Sequence, residues 1–122
     1  MKTIVQSLIA LVLTAVLSAA AMAADSMTVA DLHAKRTSLG GKQVTIAGTV
    51  IKVNNGIMKR NFIHVQDGTG SGKTDRAIFT SSQTAKVGDK VVATGTVKLD
   101  TDFGMGYFYP TLVEQATLTP AK

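Results

Sequence analysis

Residues 43–53, QVTIAGTVIKV, decide the fold. Val44 and Ile46 alternate with small or polar neighbours, as a strand with one face in a core requires; Gly48 then interrupts and Val50 resumes. A glycine inside a long strand commonly marks a bulge or a sharp bend. Residues 90–99, KVVATGTVKL, follow the same pattern: Val91, Ala93, Val97 and Leu99 share a face, and Gly95 sits at the break. The echo between GTVIKV and GTVKLD belongs to no longer repeat, so it reads as two similarly bent strands rather than a duplicated unit.

Shorter elements surround these two. Asn54-Asn55-Gly56 reads as a turn. Asn61–Gln66 (NFIHVQ) is a second strand, closed by the turn Asp67-Gly68-Thr69-Gly70. Arg76–Thr80 is a third, Ser81–Lys86 suits a turn of helix, and Tyr107–Leu118 is the fifth, with Pro110 marking an edge or an irregular position. Ahead of the strands, residues 24–27 read as a loose start and Thr28–Ser38 as a short helix. Thr28 caps it, Asp31 lies in its first turn, Lys35 and Arg36 fall near its end, and Gly40-Gly41 stop it. Val29, Leu32 and Leu39 form its apolar side. The expected fold is all-β: a five-stranded Greek-key barrel of the OB-fold type, preceded by a short helix.

Three stretches carry a resemblance. Gly41-Lys42-x-Val44-x-Ile46-x-Gly48-x-Val50, then FIHVQDGTG at 62–70, then Val87-Gly88-Asp89-x-Val91-x-x-x-Gly95-x-Val97 together resemble the tRNA-anticodon type of OB-fold. Two further stretches, Ile57-Met58-x-Arg60-Asn61-Phe62-x-His64 and Asp102-Phe103-Gly104-x-Gly106-Tyr107-x-Tyr109-Pro110, are similar to small periplasmic OB-fold proteins of the NrfJ-related group. That group is associated with nitrite-reductase and other multihaem cytochrome systems. The resemblance spans residues 28–118 and implies a barrel, a periplasmic setting and a redox enzyme or cytochrome as partner. Where such proteins often carry Trp, Phe62 keeps the ring and lacks the indole donor.

The N-terminus accords with export. Met1-Lys2-Thr3 is a short positive start, Ile4–Leu17 is an apolar run, and Ala21-Met22-Ala23 is an Ala-x-Ala cleavage pattern. Residues 1–23 therefore read as a signal peptide and 24–122 as one OB-fold domain, since the apolar run falls short of the about 20 residues that cross a bilayer. A periplasmic localisation follows. Losing Lys2 lowers the formal charge from +5 to +4, which is modest for a dedicated nucleic-acid binder. With no cysteine, disulfides, thiol redox chemistry and thiolate metal sites are excluded.

Catalysis has few candidate residues. The chain carries two histidines, His33 and His64, and one glutamate, Glu114. No nucleophile, base and orienting group assemble at motif spacing, and His33 reads as a solvated helix residue. Asp67-Gly68-Thr69-Gly70 lacks the lysine of a phosphate loop and the spaced acids of a calcium loop. The expectation is a binding protein, not an enzyme.

The candidate binding surface follows from topology, because an OB-fold takes ligands over its second and third strands between two rim loops. Those loops are residues 54–60 and 100–106. Alternation sends Ile63 and Val65 inward and Phe62, His64 and Gln66 outward. Lys59, Arg60 and Asn61 come from one rim, Phe103, Met105 and Tyr107 from the other. Three uses of this surface stand open. Single-stranded nucleic acid or another polyanion would stack on Phe62 and Tyr107, with Lys59, Arg60, Lys73 and Arg76 on phosphates. Met58, His64 and Met105 would suit copper(I) or offer axial ligands to a haem, unless both methionines only fill gaps under loops. The face as a whole would dock a periplasmic redox partner.

Overall fold

The computed structural model describes residues 24–121. Its elements are β1 (Asp25–Ser26), α1 (Val29–Ala34), α2 (Arg36–Leu39), β2 (Gln43–Ile57), β3 (Arg60–Gln66), a 3-10 turn (Gly72–Thr74), β4 (Ala77–Ser81), β5 (Lys90–Asp102) and β6 (Phe108–Pro120). Strand β2 serves two partners in turn. Gln43–Thr49 pairs antiparallel with β5, placing Ile46 opposite Ala93; from Thr49 onward the strand pairs with β3, placing Val50 opposite Val65. Gly48 stands at this handover. A Cβ there would meet the Gln66 carbonyl oxygen and lie 2.7 Å from Val65 Cγ1. At Gly95 a Cβ would lie 2.8 Å from both the Glu114 carbonyl oxygen and Val113 Cγ1, beside a register shift between Thr94 and Thr96. Both glycines let one strand cross close over another.

The pairing order β2-β3-β4-β6-β5 returns to β2 through the β2–β5 ladder. Its seam is the parallel contact of β4 with β6 at Phe79 and Val113, so the ring is partly closed. The chain is mostly β, an OB-like barrel with two short helices. Val44, Ile46, Ile63, Val65, Phe79, Val97 and Val113 fill the interior, and α1 plugs it with Val29 and Leu32. Each such side chain contributes roughly 1.5–3 kcal/mol on burial.

A six-residue helix does not persist alone; its end is held from outside. Thr28 Oγ1 accepts the Asp31 N–H at 3.1 Å. The turn after β3 adds two more acceptors, Asp67 Oδ2 for the Val29 N–H and Thr69 Oγ1 for the Ala30 N–H, both at 2.9 Å. The stretch 67–70, expected as a turn that closes β3, opens instead a longer connection through the 3-10 turn to β4 and pins the helix plug.

Several local expectations are corrected. The helix read over 28–38 breaks at Lys35 into α1 and α2. Asn54-Asn55-Gly56 lies inside β2, where the register slips between Asn54 and Ile57; the Gly56 N–H donates to Asn61 Oδ1 at 3.0 Å. The chain reverses instead at Met58 and Lys59, whose φ values of 52° and 64° are both positive, as a two-residue hairpin turn of the primed kind demands. Ser81 closes β4 and no helix follows it over 82–86; the short 3-10 turn precedes β4 instead. Residues 25–26, read as a loose start, pair with Val44 and Thr45 of β2. The signal peptide expected at 1–23 lies outside the described residues, among which no helix is long and apolar enough to cross a membrane.

Candidate nucleic-acid interface

Alternation along β3 is as expected for Ile63 and Val65, which lie in the core. Phe62 and His64 belong to the other face, yet that face is not open. Phe62 is 1% exposed and His64 9% exposed. Tyr109 stacks on Phe62 with centroids 5.5 Å apart, Phe103 meets it edge-on at 5.9 Å, and the two covering rings lie 6.0 Å from each other. The β5–β6 hairpin makes this roof by folding back: the Phe103 N–H donates to the Tyr107 carbonyl at 2.8 Å, the Tyr107 N–H to the Gly104 carbonyl at 2.9 Å, and the Gly104 N–H to Asp102 Oδ1 at 2.8 Å. Aromatic contacts of this kind are worth about 0.5–1.5 kcal/mol each beyond burial. Phe62 is thus a structural residue under a lid, not an exposed stacking platform.

Two residues further along β3, His64 lies opposite Lys52 on β2 and Ile78 on β4. Burial, and after it the positive charges of Lys52 and Arg76, push its pKa down to about 4. The imidazole is therefore neutral near neutral pH, and its buried Nδ1 has no hydrogen-bond partner among the described residues. Gln66 is also occupied, donating from Nε2 to Asp75 Oδ2 at 2.7 Å. Asn61 donates to the Gln83 carbonyl at 3.0 Å while accepting from Gly56, and so clamps the hairpin.

Rim residues remain available. Lys59 is exposed. The Arg60 guanidinium sits 4.9 Å over the Phe103 ring and 3.7 Å from Glu114 Oε2. This contact joins the β2–β3 turn to the β5–β6 hairpin. On that hairpin Tyr107 and Phe108 are 39% and 53% exposed. Phe108 was not singled out in the sequence, because alternation alone left its side undetermined.

The three residues considered for copper or haem lie in different settings. Met58 sits in the β2–β3 turn and Met105 at the hairpin tip, both exposed. His64 is buried, four residues past Arg60, roughly 13 Å along an extended strand. The roofed Phe62 stands between them on the same face. Among the described residues no group of three or more His, Cys, Asp or Glu side chains is placed to hold a metal ion.

A cleft of about 330 Å³ opens at the other end of β4, lined by His33, Arg36, Lys73, Arg76, Ile78 and Tyr109 among others. His33 Nε2 lies 2.7 Å from the Arg76 carbonyl oxygen, so it is not the merely solvated residue expected. Arg36 donates to the Pro110 carbonyl at 2.7 Å, to Thr111 Oγ1 at 3.0 Å and to Asp100 Oδ1 at 2.8 Å. His33, Arg36 and Tyr109 were missed as site candidates. No local motif links a helix to a strand more than seventy residues further along.

No protein-family model and no curated protein sequence matches the chain. Solved structures do. The chain is similar to asparaginyl-tRNA synthetase of Entamoeba histolytica, solved in complex with asparaginyl-adenylate, at 10% identity and a TM-score of 0.54, over 82% of this chain and 24% of that one. It is also similar to an OBody bound to hen egg-white lysozyme, at 15% identity and a TM-score of 0.48, over 70% of this chain and 88% of the other. The chain spans about a quarter of the synthetase, and that likeness establishes the barrel fold. These comparisons add nothing to the narrower resemblance to the NrfJ-related group.

Proposed function

We propose that this protein is an exported, non-enzymatic binding module that takes single-stranded nucleic acid across its two rim loops. The observation that carries this reading is the Arg60–Phe103 contact, which unites the loops into one surface bearing Lys59, Tyr107 and Phe108. Exposed rings beside cations are what a strand of stacked bases and phosphates requires. A copper or haem site rests on the ligand chemistry of Met58, His64 and Met105, whose placement adds no support to it, and a redox docking role rests on sequence resemblance alone.

Fluorescence anisotropy of a labelled single-stranded oligonucleotide over a salt series tests the proposal. Affinity should fall as salt rises, and Lys59→Ala should flatten the logarithmic slope by about 0.7 for one lost phosphate contact. Replacing Tyr107 and Phe108 by Ala should weaken binding about tenfold or more, given about 1–3 kcal/mol per stacked base. No binding at low salt, or binding indifferent to both changes, would overturn it.

A further inference from the structure

We infer that the cleft between α1, α2, the 3-10 turn and the start of β6 is a separate small-ligand site for a phosphate monoester whose molecule also bears a flat ring, as a nucleotide does. It does not rest on the rim-loop reading, because β3 and β4 run antiparallel and place Arg76 at the opposite end of the sheet from Lys59 and Arg60.

Charge is the first ground. Arg36 from α2 and Lys73 and Arg76 from the stretch ahead of β4 converge on one cleft, with His33 as a fourth polar group, and none of the nine lining residues is acidic. Their fixed partners leave donors over. Arg36 uses Nε and one terminal nitrogen on Thr111, Asp100 and Pro110, which leaves its other terminal nitrogen. Among the described residues Arg76 is held only through Nε, by Asp75 at 2.9 Å, which leaves its terminal nitrogens to form the fork that grips a phosphate. Lys73 is exposed on the 3-10 turn. Asp100 and Asp75 offset the charges of Arg36 and Arg76, so the match to a phosphate lies in the donors left on both arginines together with the Lys73 ammonium.

Shape is the second ground. Ile78, Tyr109 and Pro110 give the cleft an apolar wall. Stacking on Phe62 holds the Tyr109 ring in place before any ligand arrives, so its orientation costs little entropy on binding. A volume of about 330 Å³ lies at the small end for ligand sites and suits one nucleotide-sized group rather than a length of strand. The group can arrive free in solution or as the phosphorylated end of a nucleic-acid strand; the chemistry in the cleft is the same.

Adenosine 5′-monophosphate, titrated into the full-length protein by calorimetry and by NMR of the aromatic and imidazole resonances, tests this. Binding should shift His33 and Tyr109 signals. Adenosine lacking the phosphate should bind about tenfold more weakly or worse, and Lys73→Glu should cost about tenfold at a position where no packing is disturbed. Lys90→Glu, a charge change elsewhere, should leave affinity unaltered. Comparing a 5′-phosphorylated with a 5′-hydroxyl oligonucleotide separates the sources: preference for the phosphorylated strand, lost in Lys73→Glu, places a strand end in the cleft, and equal binding of the two strands leaves the free nucleotide as occupant. Equal affinity for adenosine and its monophosphate, or an unchanged affinity in Lys73→Glu, overturns the proposal. The Lys59→Ala variant should bind the monophosphate normally, so failure of the rim-loop reading and failure of this one are told apart.

Discussion

Phe62 shows how far one residue's role depends on its cover. Its side of β3 follows from alternation, but its 1% exposure follows from Phe103 and Tyr109, which lie some forty positions away in the chain. Phe62→Ala should therefore cost about 3–5 kcal/mol of stability by emptying the space under the roof, read as a loss in chemical denaturation. A mild effect on stability with a large effect on oligonucleotide affinity would point instead to an open stacking residue. His64 carries a pH dependence whose sign is determined by its lowered pKa. Between the unfolded value of 6.5 and the folded value of about 4, the unfolded chain binds a proton that the folded one does not. Stability should thus be fully present above pH 6.5 and decline toward pH 4, by about 3 kcal/mol at most. His64→Leu should flatten that slope in denaturation midpoints measured across the range; an unchanged slope would mean that another group carries it.

Among the elements, the β2–β3 hairpin departs furthest from its sequence signals. Asn54-Asn55-Gly56 has the chemistry of a turn, yet the pairing of β2 with β3 absorbs it as an irregularity inside the strand. The reversal falls on Met58 and Lys59, which both hold positive φ, a conformation that costs roughly 1–2 kcal/mol per ordinary residue. Replacing Met58-Lys59 by Asn-Gly should raise stability by about 1 kcal/mol or more, seen as a higher melting temperature. Since the rim also carries Lys59, the same variant should lose oligonucleotide affinity while gaining stability. Strands β2 and β5 contrast with this hairpin: Gly48 and Gly95 were legible as bends because no other residue fits where the backbones cross.

For the molecule as a whole, the least anticipated link is between the turn after β3 and the helix plug. Asp67 accepts the Val29 N–H and, through Oδ1, the Thr69 N–H at 3.0 Å. Partial burial acts to raise its pKa, but the bonds from the Thr69 side chain and from the Val29 and Thr69 backbone outweigh it and hold the carboxyl below its ordinary value. The stability this carboxylate contributes is present above its unfolded pKa of 3.8 and lost as pH falls through the lower folded value. Asp67→Ala should cost about 1–2 kcal/mol, as loss of a helix cap does, and hydrogen exchange should show residues 29–34 opening ahead of the strands. Unchanged exchange there would mean that Thr28 suffices as the cap.

Of the candidate site, the rim loops and their residues Lys59, Arg60, Phe103 and Tyr107 were legible, because strand order places loops and loops carry their own residues. The face between them, expected to be open, was not legible, since Phe62 meets Phe103 and Tyr109 through the tertiary fold and His64 is buried there as well. The basic cleft was legible only in part: Lys73 and Arg76 stand out as cations beside β4, whereas His33, Arg36 and Tyr109 join them from distant segments. The amino-acid sequence by itself determined the all-β character, the two bent strands and the inward set Val44, Ile46, Ile63 and Val65, because alternation and glycine placement act within a few residues. Only the tertiary structure decided which outward residues stay in water, because exposure is a property of whatever another part of the chain lays over them.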